Sequence, residues 1–224
     1  CGDTGWGDDV ASGFYVTASL ALCTLPVGLL IGFFVALAKQ SEERFLRGAA
    51  DIYTTVFRGL PELLTLFIIY FGLPHLLERA LTPLGRTEPV SINPFFAGMI
   101  AVGVVFSAYC SEVLQSAFKA IPNGQYEGAY AIGLSHTKAM RLVILPQLIR
   151  IALPGLGNLW MTLLKDTALV SAIGLPDILR QTGIAAKVTK QAFLFYGLAC
   201  ALFLVLAILS SFVFGWIENK ARRV

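Results

Sequence analysis

Charge is scarce in this chain. Only 14% of its 224 residues are Asp, Glu, Lys or Arg, against about a quarter in ordinary soluble domains. That shortage excludes a disordered segment and a charged coiled coil. Cysteine is sparse as well, with four residues, too few for a disulfide-built scaffold. Two histidines and no metal-ligand spacing leave no basis for a metal centre. No Gly-rich phosphate loop and no nucleophile–base set occur, so the chain is not expected to hydrolyse ATP itself. The net charge of +3 leaves no nucleic-acid footprint. What is abundant is apolar surface, 56% of residues, more than a soluble globule of this size hides.

Run lengths turn that excess into a membrane assignment. Val10 to Ala38, Pro89 to Ser111 and Ala192 to Ile217 carry no charge. Each is long enough for a helix to cross ~30 Å of hydrocarbon at ~1.5 Å per residue. Two further apolar zones are marked by charge: Leu60 to Leu77 with Glu62, and Leu142 to Leu164 with Arg150, followed by Lys165 and Asp166. The runs lack the alternation of a membrane strand. The fold class is therefore all-α integral membrane, one domain over residues 1–224. Its spans fall at about 11–38, 51–77, 92–117, 140–164 and 193–217, and a loop covers 119–140.

Lys39, Arg44 and Arg47 follow the first span, Lys119, Lys138 and Arg141 the third, and Lys220, Arg222 and Arg223 the fifth. Arg79, Arg86, Lys165, Arg180, Lys187 and Lys190 fall on the opposite side. The positive-inside rule then puts the N-terminus outside and the C-terminus in the cytoplasm. Cys1 at the first position admits a lipid-modified terminus, though a chain that simply begins there is the plainer reading. Cys23, Cys110 and Cys200 read as buried packing residues. Trp6, Trp160 and Trp216 read as interface anchors, and His75 and His136 as isolated residues.

The loop after span three is the sharpest local signal. Pro122 stops the membrane helix, Asn123 suits an N-cap, residues 125–132 suit a short helix, and Gly133 suits a left-handed terminator. Such a short helix needs a partner surface. Tyr126 and Tyr130, one turn apart, offer an aromatic face, and Ala129 and Ala131 permit close approach.

Glu127-Gly128-Ala129, three residues, Gly133, nine residues and Val143-Ile144-Leu145-Pro146 resemble the EAA loop of ABC-importer permeases. The chain departs from that pattern at Gly128 and Val143. Phe57-Arg-Gly-Leu-Pro-Glu, Ser107-Ala-Tyr-Cys-Ser-Glu and Leu164-Lys-Asp-Thr-Ala-Leu are similar to the polar amino-acid branch, of histidine, arginine and opine type. The resemblance implies a type I importer permease fold with a coupling helix, in a bacterial inner membrane. It implies that Tyr126, Glu127, Gly128, Ala129, Tyr130 and Gly133 dock on a cytosolic ATPase. The implied partners are a second permease chain, identical or related, two ATP-binding subunits and a periplasmic substrate-binding protein. ATP and magnesium belong to the partner ATPase, so no cofactor is expected in this chain. An ATP-independent secondary transporter or channel is the alternative, and a scaffold without transport is a third reading.

Intramembrane charge marks candidate path residues. Glu62 lies four residues after Arg58, and two readings follow: an intrahelical ion pair, or a carboxylate facing a cationic substrate. Tyr109, Glu112 and Ser116 form a polar stripe that suits either helix packing or substrate contact. Asp166 and Thr167 suit the path or a subunit interface. Pro146 and Pro154, with Gly155, Gly157 and Asn158, suit a kinked, closely packed span.

Overall fold

The computed structural model describes residues 5–82 and 91–223. Cys1, Arg86 and the Pro89 start of the third apolar run lie outside them. The described chain is helical. Helix α1 spans Gly7–Lys39, α2 Arg44–Gly59, α3 Glu62–Phe67 and α4 Leu73–Leu81. Helix α5 spans Pro94–Ala120, α6 Asn123–Ala131, α7 His136–Ala139, α8 Leu145–Asp166, α9 Ile178–Thr189 and α10 Ala192–Arg223. One π-helical turn, Ile68–Gly72, joins α3 to α4, and another, Met140–Ile144, joins α7 to α8. A 3₁₀ segment, Thr167–Ile173, extends α8. Among the described residues, five helical stretches are long and apolar enough to cross a membrane: Gly7–Lys39, Glu62–Ala80, Pro94–Ala120, His136–Ile173 and Ala192–Ala221.

Helix α5 is the centre of the bundle. Asn93 caps it by accepting the Phe95 N–H at 2.8 Å, and Pro94 occupies its first turn. Its small residues let neighbours close in. Gly28 of α1 lies against the Phe106 ring, and Gly32 against Cys110 and Ser107. A Cβ at Gly32 would sit 2.8 Å from Cys110 Cβ, inside van der Waals contact. Gly32→Val is therefore expected to cost about 1–3 kcal/mol by overpacking, read as a lower melting temperature in detergent. Gly155 of α8 meets Val113 of α5 in the same way, at 2.7 Å from a built Cβ. The small residues of span four thus serve close packing. Helix α10 lies outermost, and Phe193, Leu204, Phe212 and Trp216 point away from the bundle, as lipid-facing residues do.

Four sequence expectations change. The 51–77 segment is not one helix. Pro61 has no N–H to donate and holds the preceding residue extended, so α2 ends at Gly59 and α3 opens at Glu62. Of the three described cysteines, Cys23 and Cys200 are exposed on the chain surface and Cys110 is buried. Trp160 is no interface anchor. It is buried, stacks on Phe214 at 6.1 Å between centroids, and its indole N–H has no partner. Asn123 is the first residue of α6 and not its cap, because the extended conformation falls on Pro122.

Helix α9 lies between the fourth and fifth spans, where the sequence analysis places no element. The Asp177 carboxylate accepts the Arg180 N–H at 2.8 Å and caps the helix. The turn before it seats on α1, where Thr17 Oγ1 accepts the Ile178 N–H at 3.2 Å and Gly13 abuts the Asp177 carbonyl. Asp177 is fully buried, and its second carboxyl oxygen has no partner. Burial pushes this carboxyl up to about 6, against the opposing pull of the Arg180 N–H. The folded chain then holds a proton that the unfolded chain, titrating near ~3.9, has lost. Its contribution to stability falls as pH rises from about 4 to about 6 and stays lost above that. Asp177→Asn keeps a cap and removes the charge. It is expected to raise the melting temperature at pH 7.5 by a margin worth at most about 3 kcal/mol, shrinking at pH 4.5. A margin independent of pH contradicts this.

Candidate functional site: a carboxylate cleft and a solvent-facing loop helix

The break at Leu60–Pro61 puts Glu62 in the first turn of α3. The end of α8 puts Asp166 opposite it. Both carboxylates line one small cleft with Leu66 of α3, Ala101, Val102 and Val105 of α5, and Leu169 of the 3₁₀ segment. The two side chains are close enough to interact directly. Among the described residues no basic side chain lines this cleft, although the charge of Lys165 reaches Asp166 through space. Two carboxylates facing each other between apolar walls repel unless a proton or a cation stands between them. The arrangement therefore suits a shared proton or a bound cation. Lys165, next to Asp166 in sequence, lines a different groove with Leu179, Tyr196 and Phe203.

Thr167 does not join the cleft. It is buried, and its hydroxyl donates to the Leu164 carbonyl at 2.6 Å. Tyr109 and Glu112 also stand apart, one to two turns further along α5. Glu112 forms an ion pair with Lys39, the last residue of α1, and a second with Arg58 at 3.4 Å. The Arg58 guanidinium lies over the Tyr109 ring, 5.4 Å from its centroid. Lys39 reaches Asp51 of α2 at 3.6 Å as well. The helix break thus turns Arg58 toward α5, and the pairing with Glu62 suggested by a four-residue spacing gives way to one with Glu112. In the sequence Lys39 reads as a positive-inside residue, and nothing local in the chain pairs it with Asp51 or Glu112. Among the described residues, no group of three His, Cys, Asp or Glu side chains is arranged to hold a metal.

The loop helix α6 forms a second surface. Gly133 takes φ +82°. Its N–H donates to the Tyr130 carbonyl at 2.9 Å, and the Leu134 N–H to the Ala129 carbonyl at 3.1 Å, the two bonds of a Schellman terminator. Gln147 of α8 donates to Gln125 Oε1 at 3.0 Å, tying α6 to span four. Ala129 is buried against the chain itself, not held free for a partner. Tyr126 turns inward to a groove with Leu37, Phe118 and Met140, where burial and then the neighbouring Tyr130 raise its hydroxyl above the usual range. The two tyrosines therefore do not present one outward aromatic face. The exposed side is Glu127, Gly128, Tyr130, Ala131, Ile132 and Gly133. Tyr130 stands there beside His136, its hydroxyl 2.9 Å from Nδ1. Ile132 is 76% exposed, a large apolar side chain with nothing of its own chain to cover it.

Residues 5–223 match the family described as binding-protein-dependent transport system inner membrane component. The chain is 42% identical over 223 residues to the nopaline transport system permease protein NocQ of Agrobacterium fabrum, covering 99% of this chain and 94% of that one. It is 39% identical to the arginine ABC transporter permease protein ArtQ of Escherichia coli, covering 96% and 95%. Among solved structures it resembles an amino acid ABC transporter crystallised with histidines, at TM-score 0.80 and 34% identity, over 95% of this chain and 94% of that one. An inward-facing methionine transporter, MetNI, shares the fold at TM-score 0.75 and 18% identity, over 95% of each chain. The helical membrane architecture, the full-length match and the terminated loop helix agree: this chain belongs to the family of inner-membrane permease components of binding-protein-dependent ABC importers, multi-pass proteins whose ATPase activity resides in a separate subunit.

Proposed function

We propose that residues 1–224 act as one permease domain that carries a basic amino acid, or an opine with a basic side chain, inward across the membrane. The observation that carries this reading is the Glu62–Asp166 pair in a cleft with no basic lining. A guanidinium or ammonium group neutralises both carboxylates and forms charge-assisted hydrogen bonds with them. The printed functions of the relatives agree, since they include arginine, nopaline, octopine and histidine/lysine/arginine/ornithine transport. Tyr109 and Glu112 join the substrate path as the further polar groups along α5, whereas Thr167, buried and bonded to the Leu164 carbonyl, holds the end of α8 in place.

The partners are a second permease chain, identical or related, two cytosolic ATP-binding subunits that carry ATP and magnesium, and a periplasmic binding protein. The exposed side of α6, with Glu127, Gly128, Tyr130 and Gly133, docks on an ATP-binding subunit. Tyr126 and Ala129 hold that helix on the membrane domain from within, so the coupling loop 119–140 moves with spans three and four. The N-terminus is periplasmic and the C-terminus cytoplasmic. Substrate-stimulated ATP hydrolysis by the assembled complex tests the substrate class. Arginine, lysine, ornithine, histidine and the opines are expected to include the activator, while glutamate and aspartate do nothing. Stimulation by an acidic amino acid alone overturns the reading.

A further inference from the structure

We infer that Arg58 is a tethered occupant of a cation site formed by Tyr109 and Glu112, and that it closes the α6-side exit of the Glu62–Asp166 cleft until a cationic substrate takes its place. This rests on the proposed basic substrate and adds a step beyond binding.

Four observations carry it. Ala101 and Val105 line the cleft, and Tyr109 and Glu112 follow at helical spacing on the same side of α5, about 6 and about 10 Å beyond Val105 at ~1.5 Å per residue. They lie toward Ala120, the end that leads into α6. The group seated there is a guanidinium, with an ion pair to a carboxylate and a ring beneath it, which is how a protein holds an arginine ligand. Glu112 has two cationic partners of different character. Lys39 has a side chain 4% exposed and is also paired with Asp51, so it is fixed, whereas the Arg58 side chain is 43% exposed. Removing Arg58 leaves Glu112 neutralised by Lys39, so exchange of the guanidinium strands no buried charge. Finally, Arg58 stands in the last turn of α2, immediately before the break that leads to Glu62. A displacement at one end of Gly59–Pro61 therefore reaches the other.

The test uses the complete transporter with its partner subunits, reconstituted in nanodiscs. Cys1, Cys23, Cys110 and Cys200 are replaced by serine or alanine, and Val105→Cys supplies one thiol in the cleft. A bulky charged thiol reagent is applied without substrate. Arg58→Gln is expected to speed labelling about tenfold, the equivalent of one lost charge-assisted contact, and Arg58→Lys to restore the parent rate. Glu112→Gln releases Arg58 while leaving Lys39 paired with Asp51 and is expected to match Arg58→Gln, which keeps the test open should one variant fail to assemble. Equal labelling in the parent and in whichever variants assemble overturns the inference. Parent ATP hydrolysis indifferent to every basic amino acid overturns the substrate reading instead, and the labelling needs no substrate, so the two failures are distinct.

Discussion

Asp166→Asn and Glu62→Gln are each expected to lower kcat/KM for uptake of the cationic substrate by about a hundredfold, because each removes a charged partner from a desolvated ion contact worth about 2–5 kcal/mol. The pair is expected to be non-additive. If both carboxylates grip one cation, losing the first also relieves the repulsion felt by the second, so the double variant falls by less than the product of the single effects. Lys187→Gln is the control. Its side chain is exposed on α9, outside the cleft lining, and its uptake is expected to stay within about threefold of the parent, the range of a surface change. Transport assays in proteoliposomes with the binding protein present decide the matter. Unaltered uptake in both carboxylate variants removes the cleft from the path.

Gly133→Val is expected to uncouple the transporter. At φ +82° a β-branched residue pays about 1–2 kcal/mol or more in backbone strain. Both terminator bonds, to Tyr130 and to Ala129, depend on that conformation. The helix end then frays and Ile132 and Tyr130 lose their fixed positions. Substrate-stimulated ATP hydrolysis is expected to fall at least about tenfold, the effect of roughly 1.4 kcal/mol at a docking surface, while the amount of protein in the membrane stays the same. Glu127→Lys reverses a charge on the exposed side of the same helix and is expected to act in the same direction without disturbing the fold. Normal coupling in both variants counts against α6 as the docking element.

Much of this was legible in the residues. Uncharged runs longer than a bilayer needs located spans one, three and five, because a lipid solvent leaves no other use for them. The spacing from Glu127 to Pro146 located the loop helix, and Gly133 its end, since few residues besides glycine turn left-handed at low cost. The pairing partners were not legible. Arg58 and Glu62 sit four apart and read as neighbours on one helix, until Pro61 splits that helix and sends them to different carboxylates. Glu62 and Asp166 meet only through packing of α3, α5 and the end of α8, a long-range contact that a single sequence does not encode locally. Ala129 and Tyr126 looked like docking residues by size and spacing. Which side of α6 faces inward is set by Gln147 and by the groove between α1 and α5, neither of which is near in sequence. Helix α9 was not legible because its 12 residues are too few to span a bilayer and its main anchor, Asp177, is a single buried cap.

In the proposed assembly the ATP-hydrolysing partner grips the exposed side of α6. Ile132→Cys, in the purified complex with the other cysteines replaced, carries a short photo-crosslinker at the most exposed apolar position of that surface. One dominant adduct with the ATP-binding subunit is expected, with a yield that changes between nucleotide-free and ATP-bound states. An adduct with the periplasmic binding protein, or none with the ATP-binding subunit in an active complex, contradicts it.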